Sequence, residues 1–335
     1  MTKHAFKKAL WAAVILALLL GVFIGWQTQR YVFAHTFFQR KILREKINDY
    51  TFINPIIGFD TAENDNSKQF RDLSIQINSY IEDRVKKGRA TAISAYVRDL
   101  NTGDWMGINE DEKYAPASLF KVFMMVAYLR LAEEDPGILG RELFYDGVTD
   151  LNELAHYTPS TSLDGNRSYP INELIRRMII QSGNNSHALL ANNLGEERLV
   201  NLLTDLGLPY PKSEEEIDFM SARSYSFIFR VLYNATYLSR AMSERALELL
   251  SETEFDLGLV AGVPSGTTVA HKFGERWFLD DPKKPKELHD CGIVYYPEKP
   301  YFICVMTKGT NFVYLENTIK EISRMAYSNV NYYSN

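Results

Sequence analysis

Apolar positions along the chain fall into one unbroken run followed by two alternating periods. From Ala9 to Trp26 the sequence reads ALWAAVILALLLGVFIGW, eighteen residues without a charge. As a helix at about 1.5 Å per residue, such a run reaches about 27 Å and spans a bilayer core. Trp11 and Trp26 flank it as interfacial aromatics do, and Lys3, Lys7 and Lys8 precede it. A cleaved secretory signal is the alternative, but it has a shorter apolar stretch ending in small residues, and no A-x-A motif follows here. We expect a short segment 1–8, an uncleaved anchor over 9–26 and a juxtamembrane tether over 27–65. The tether carries the basic FFQRKILREKI and then the polar TAENDNSKQ. Arg30, Arg40, Lys41, Arg44 and Lys46 offset the N-terminal lysines, so the positive-inside rule leaves the orientation open.

Beyond the tether the period becomes helical. Phe70, Leu73, Ile77, Tyr80 and Ile81 predict an amphipathic helix. AISAYVRDL, NTGD and WMGIN then read as strand, turn and strand. APASLFKVFMMVAYLRLA follows, a helix apolar on most sides with Pro116 near its start. Ile171, Leu174, Ile175, Met178 and Ile179 mark another helix, and so do Tyr225, Ile228, Phe229, Leu232 and Tyr233 behind a capping Ser221. Gly195 and Gly207 supply stops, so about 135–255 reads as an all-helical lobe. TTVAHKFG, CGIVYY and YFICVMT, the last two joined by a PEKP turn, are strand-like, and Leu315, Ile319, Ile322 and Met325 close the chain with a helix. Strands at both ends with helices between them imply an α/β (α+β) fold. One antiparallel sheet with flanking terminal helices carries an inserted helical lobe, and the crevice between the two is the natural site.

Composition narrows the class of function. The 335 residues are 46% hydrophobic and 24% charged, enough apolar matter for a real core. Lys plus Arg number 37 against 42 Asp plus Glu, so the chain lacks the basic excess of a nucleic-acid binder. Cys291 and Cys304 have no His or Cys at metal-ligand spacing, and His156 and His289 have no visible partners; no metal or other cofactor is expected. The two cysteines fall on adjacent predicted strands; buried free thiols are expected, with a disulfide as the alternative.

The chemistry begins at Ser118, Leu119, Phe120 and Lys121. S-x-x-K on a first helical turn places hydroxyl and ammonium on one face. A desolvated lysine of lowered pKa can take the serine proton. Such a tetrapeptide alone also occurs by chance. Ser182, Gly183 and Asn184 follow 64 residues later as S-x-N, and Lys272, Phe273 and Gly274 follow after another 90 as K-x-G.

That order and spacing resemble the penicillin-recognising serine enzymes, in particular class A β-lactamases and their peptidase relatives. The likeness covers roughly residues 66–330, within a domain drawn as 66–335, and extends to YAPASLFKV, ELIRRMIIQSGNNSHALLANNLG and GTTVAHKFGE. The resemblance implies Ser118 as acylated nucleophile and Lys121 as its base. It implies Ser182 as proton relay to the leaving nitrogen and Lys272 as electrostatic support for it and for the substrate carboxylate. Asn184 would hydrogen-bond the substrate amide. Gly274 belongs to the K-x-G strand, and the backbone N–H groups of Ser118 and Glu275 would form the oxyanion hole, Glu275 counting for its backbone only. His187 and His271 adjoin the motifs and are expected to be structural.

Departures from the pattern bear on activity. Gly183 replaces the middle Asp of S-D-N, and Phe273 replaces a hydroxyl residue that would bind the substrate carboxylate. The E-x-x-L-N loop that supplies a deacylating glutamate has only a loose counterpart at Glu214, in the shortened LPYPKSEEEIDFM. The expected protein is a membrane-anchored serine hydrolase acting on β-lactams or peptidoglycan stem-peptide amides, single-pass, with its catalytic domain outside the cytoplasm. A penicillin-binding D-alanyl-D-alanine peptidase of slow β-lactam turnover is the first alternative, and a non-catalytic penicillin-binding receptor or scaffold the second.

Overall fold

The computed structural model describes residues 21, 43–44, 50–58, 68–211, 213, 215–278, 281 and 283–332. The expected anchor, apart from Gly21, lies outside the described residues, and so does Glu214. Among the described residues no helix is long and apolar enough to cross a membrane.

Helix α1 (Lys68–Lys86) opens the domain with Phe70, Leu73, Ile77 and Ile81 buried, as their spacing predicts. Strands β1 (Ala92–Asp99) and β2 (Trp105–Ile108) follow. Helix α2 (Lys121–Glu134) runs through the middle, with every residue from Lys121 to Leu129 buried. Then come α3 (Ile171–Ile180), α4 (Asn184–Leu194), α5 (Glu196–Asp205), α6 (Ala222–Tyr233) and α7 (Arg240–Ser251). Ser221 caps α6 by accepting the Ser224 N–H at 3.1 Å, and Gly195 (φ 80°) and Gly207 (φ 63°) turn the chain after α4 and α5. β3 (Val269–Arg276), β4 (Lys286–Val294), β5 (Tyr301–Gly309) and α8 (Phe312–Tyr332) complete the domain.

The sheet order is β2-β1-β5-β4-β3, antiparallel throughout, so the central strand β5 lies between β1 and its hairpin partner β4. Each face is covered. Ile93, Ala95, Val97, Ile303 and Val305 pack on α1 and α8, whereas Tyr96, Phe302, Cys304 and Met306 pack on the helical lobe. Burial on both faces explains the apolar runs in β4 and β5. β3 ends the sheet and leaves one edge toward the lobe. The lobe departs from the all-helical expectation: Glu142–Tyr145 pairs with Arg167–Pro170, and Lys113–Tyr114 with Met220–Ser221. These ribbons are too short for a two-residue period to register in sequence. Within the stretch drawn as a tether, the backbone N–H groups of Phe52 and Ile53 donate to the Glu244 carboxylate on α7 at 2.9 Å.

The expectation of free thiols is corrected. Cys291 on β4 and Cys304 on β5 are direct register partners, both fully buried, and form a disulfide. Direct cross-strand partners point to the same face with their β-carbons close together, which the pattern alone could not distinguish from neighbouring buried thiols. The bond lies 13 residues apart in sequence, a closure worth about 3 kcal/mol for a loop of that size. Thermal unfolding of the Cys291→Ala, Cys304→Ala double variant is expected to show a loss of about that size. A loss under about 1 kcal/mol would mean that pairing of β4 with β5 already imposes the closure.

Candidate active site

Three pieces of chain meet at the edge of β3. The first is the turn ahead of α2. Ala117–Phe120 is a single 3-10 turn, and the helix proper starts at Lys121, so Ser118 sits just before the α-helix rather than in its first turn. Ala117 holds φ 47°, a left-handed conformation that a non-glycine residue adopts at a cost of about 1–3 kcal/mol. Its approach is pinned by Glu287, which sequence reasoning passed over, and by His289, which it read as without partners. Glu287 on β4 accepts the Ala115 N–H at 3.2 Å, and His289 Nε2 donates to Ala115 O at 3.0 Å. The Thr307 N–H donates to His289 Nδ1, which places the ring proton on Nε2. His289 thus has partners and is structural. Its strand was under-read because Glu287, His289 and Asp290 look exposed by type, yet all three are buried.

Gly274 brings β3 against that turn. A β-carbon there would lie 2.8 Å from Pro116 O and 3.1 Å from Leu119 N, so only glycine permits the approach. The contact places the Glu275 backbone beside Ser118, where two main-chain N–H groups could share one oxygen.

The second piece is the turn between α3 and α4, with Ser182 at φ 56°. Both lysines converge on it. Lys272 Nζ donates to Ser182 Oγ at 2.9 Å, and Lys121 Nζ lies 3.3 Å from the same oxygen. Lys121 Nζ also donates to Ser182 O at 2.6 Å and to Asn184 Oδ1 at 2.8 Å. Lys121 has no hydrogen bond to Ser118 Oγ; its partners belong to the second motif. Asn184 Nδ2 donates to Leu151 O at 3.2 Å. Gly183 brings no side chain to this turn, and next to it Asn185 Nδ2 donates to Asp150 Oδ1 at 2.7 Å.

Burial sets the protonation of the pair. Lys121 is 3% exposed and Lys272 is fully buried. Desolvation lowers Lys121 to about 7, partly opposed by Glu275. Lys272 falls well below its ordinary value, through burial and then through Lys121. Its Nζ lies 4.1 Å from the centroid of the Phe273 ring, so the residue that replaces the hydroxyl also walls this amine off from water. Phe273 itself stacks on Phe255 at 4.2 Å and meets Tyr157 edge-on. His187 is half-buried; desolvation, and then Lys121, lower it to about 4, so it stays neutral at neutral pH. His271 Nδ1 donates to Asp290 Oδ1 at 2.8 Å in the core, consistent with its structural reading.

The third piece is the segment Leu151–Tyr157, which crosses from α4 to the β3 edge. Trp277 Nε1 donates to Leu154 O at 3.0 Å. The His156 and Tyr157 N–H groups donate to Glu275 Oε1 at 3.0 and 3.1 Å, and His156 stacks on Phe312. Besides the backbone expected at the site, Glu275 thus brings a carboxylate that binds the cleft wall. The open cleft, about 200 Å³, is lined by Ser118, Ser182, Asn184, Glu275, Leu154 and Tyr157 among others. A larger hollow of about 450 Å³ between α1 and α8 contains none of the three motifs. Among the described residues no cluster could hold a metal ion.

The sequence profile of the Beta-lactamase enzyme family matches residues 76–330, a stretch that includes all three motifs. The chain belongs to this family. A curated β-lactamase of Streptomyces fradiae is 30% identical over 105 residues, 31% of this chain and 34% of that protein; the match thus spans about a third of the relative. An acyl-enzyme complex of a PBP-A mutant with penicillin G superposes with a TM-score of 0.64 at 22% identity, covering 78% of this chain and 97% of that one. The TLA-1 extended-spectrum β-lactamase gives 0.66 at 21% identity over 77% and 99%. These structures establish the β-lactamase-like fold, antiparallel sheet and helices included. Relative to the motifs of the family, this member keeps both lysines, both serines and Asn184, and changes the residues at 183 and 273.

Proposed function

We propose that the protein is a membrane-anchored active-serine hydrolase that opens β-lactams or related amides through an ester on Ser118. The convergence of two buried amines on Ser182 Oγ, at 2.9 and 3.3 Å, beside a serine on a strained turn, carries the reading. In the proposed sequence Ser118 Oγ bonds to the carbonyl carbon as neutral Lys121 takes the hydroxyl proton, directly or through Ser182. The Ser118 and Glu275 N–H groups receive the negative oxygen, and the carbon–nitrogen bond breaks as Ser182, hydrogen-bonded to Lys272, protonates the leaving nitrogen and regains a proton from Lys121. Asn184 contacts the acyl amide. Water then adds to the ester carbonyl carbon, the bond from that carbon to Ser118 Oγ breaks, and the proton that the water loses passes to Ser118 Oγ as the acid leaves.

The loose match of the loop at 208–218 to E-x-x-L-N favours a long-lived ester, as in the penicillin-binding peptidase alternative. Among the described residues, no carboxylate of loop 208–218 lines the cavity. Asp218 pairs instead with Lys308 at 2.6 Å and Arg276 at 3.6 Å. The Cys291–Cys304 disulfide supports a domain outside the cytoplasm, where disulfides persist, and the apolar run 9–26 supports the single-pass anchor.

Intact-mass spectra of the purified protein followed over time with several β-lactams test the reading. A Ser118 adduct is expected. Decay within minutes with accumulation of hydrolysed drug would identify a β-lactamase, and persistence for hours a peptidase. No adduct with any compound would leave the receptor or scaffold reading ahead.

A further inference from the structure

Glu275 is an acidic side chain built into the wall of the acylation cavity. Oε1 accepts the His156 and Tyr157 N–H groups, while Oε2 is buried without a hydrogen-bond partner. A buried carboxylate oxygen left unpaired is costly, and the cavity is where a bound molecule could supply the missing donor.

The groups that ordinarily welcome a substrate carboxylate are diverted. Phe273 has no hydroxyl and turns its ring onto Phe255 and Tyr157. Lys272 Nζ is bonded to Ser182 Oγ and Phe273 O, and Lys121 Nζ to Ser182 and Asn184. Arg276 also lines the cavity, but it pairs with Glu287 at 3.3 Å and with Asp218 at 3.6 Å. A second carboxylate brought against Glu275 would meet like charge in a desolvated place, where such repulsion is a strong discriminator.

Granting the acyl-enzyme reading above, we propose that Glu275 selects the substrate class of this site: acyl donors that present an N–H group, amine or primary amide, to Oε2, in preference to those presenting a carboxylate. Burial raises the acid above its ordinary value, and the two backbone donors and the neighbouring lysines partly oppose that shift.

The test compares acylation of Ser118 by benzylpenicillin and by its carboxamide, read by intact mass in the wild-type protein and in Glu275→Gln. The glutamine keeps an oxygen for the two backbone donors and removes the charge. The carboxamide-to-carboxylate rate ratio is expected to fall at least tenfold in the variant; intrinsic ring reactivity cancels in that comparison. Both rates come from one preparation, so any unfolded fraction lowers amplitude and leaves the ratio intact. An unchanged ratio, with labelling intact, overturns the proposal and spares the acyl-enzyme reading. Equal acceleration of both probes overturns it too, and would make Glu275 a latch for the Leu151–Tyr157 segment. Absence of labelling by either probe in both proteins, with every other β-lactam also inert, overturns the acyl-enzyme reading itself.

Discussion

Ser118→Ala is expected to abolish covalent labelling by every β-lactam and to reduce any turnover by about 10⁵-fold or more, the scale on which removal of a serine nucleophile acts. The expectation follows from the construction of the turn. Ala117 at φ 47°, the Glu287 and His289 contacts to Ala115, and the close approach of Gly274 all fix the backbone around this residue. An alanine fits the same turn without disturbing any of these contacts, so the variant should fold as the parent does. Labelling gels with a fluorescent penicillin, together with thermal unfolding curves, check both halves. Undiminished labelling of a folded Ser118→Ala protein would place the nucleophile elsewhere.

Lys121→Met should lower the acylation rate by about 10²–10⁴-fold, the usual contribution of a general base. The companion measurement is the pH profile. Burial brings Lys121 to about 7, and only the neutral amine can accept the Ser118 proton. Acylation by the wild-type protein should therefore rise as pH increases through about 7, falling about tenfold per unit below it. His187, held near 4, does not account for a rise in that window. In the methionine variant the residual rate should lose this inflection. A profile that keeps it would transfer the base role to another group, with Lys272 the first to test.

Much of the site was legible because its chemistry is carried by short motifs. Ser118 and Lys121, Ser182 and Asn184, and Lys272 and Gly274 each lie within a few residues of one another, and the structure brings all three pairs to one cavity edge. The fold was equally open to reading where one period ran long enough, as in α1 and α8. Reading was poorer where polar residues are buried. Glu287, His289 and Asp290 make the first half of β4 look like a loop, but each is satisfied by a partner far along the chain. Nothing local reveals such a partner. The Glu275 carboxylate was passed over for the same reason, since its two donors come from residues 156 and 157, more than a hundred positions earlier.

By itself the amino-acid order determined the elements with sustained periodicity, the three short motifs and the family they mark, since these depend on neighbours within about one turn of helix or a few residues of strand. Tertiary structure alone decided the states of those groups. Lys121 reaches about 7 only after α2 is enclosed, and Cys291 meets Cys304 only once β4 and β5 pair in register. Glu275 becomes part of the cleft only when the Leu151–Tyr157 segment crosses to β3. Desolvation, register and long-range hydrogen bonding arise from chain segments distant in sequence, and no window along the chain contains them.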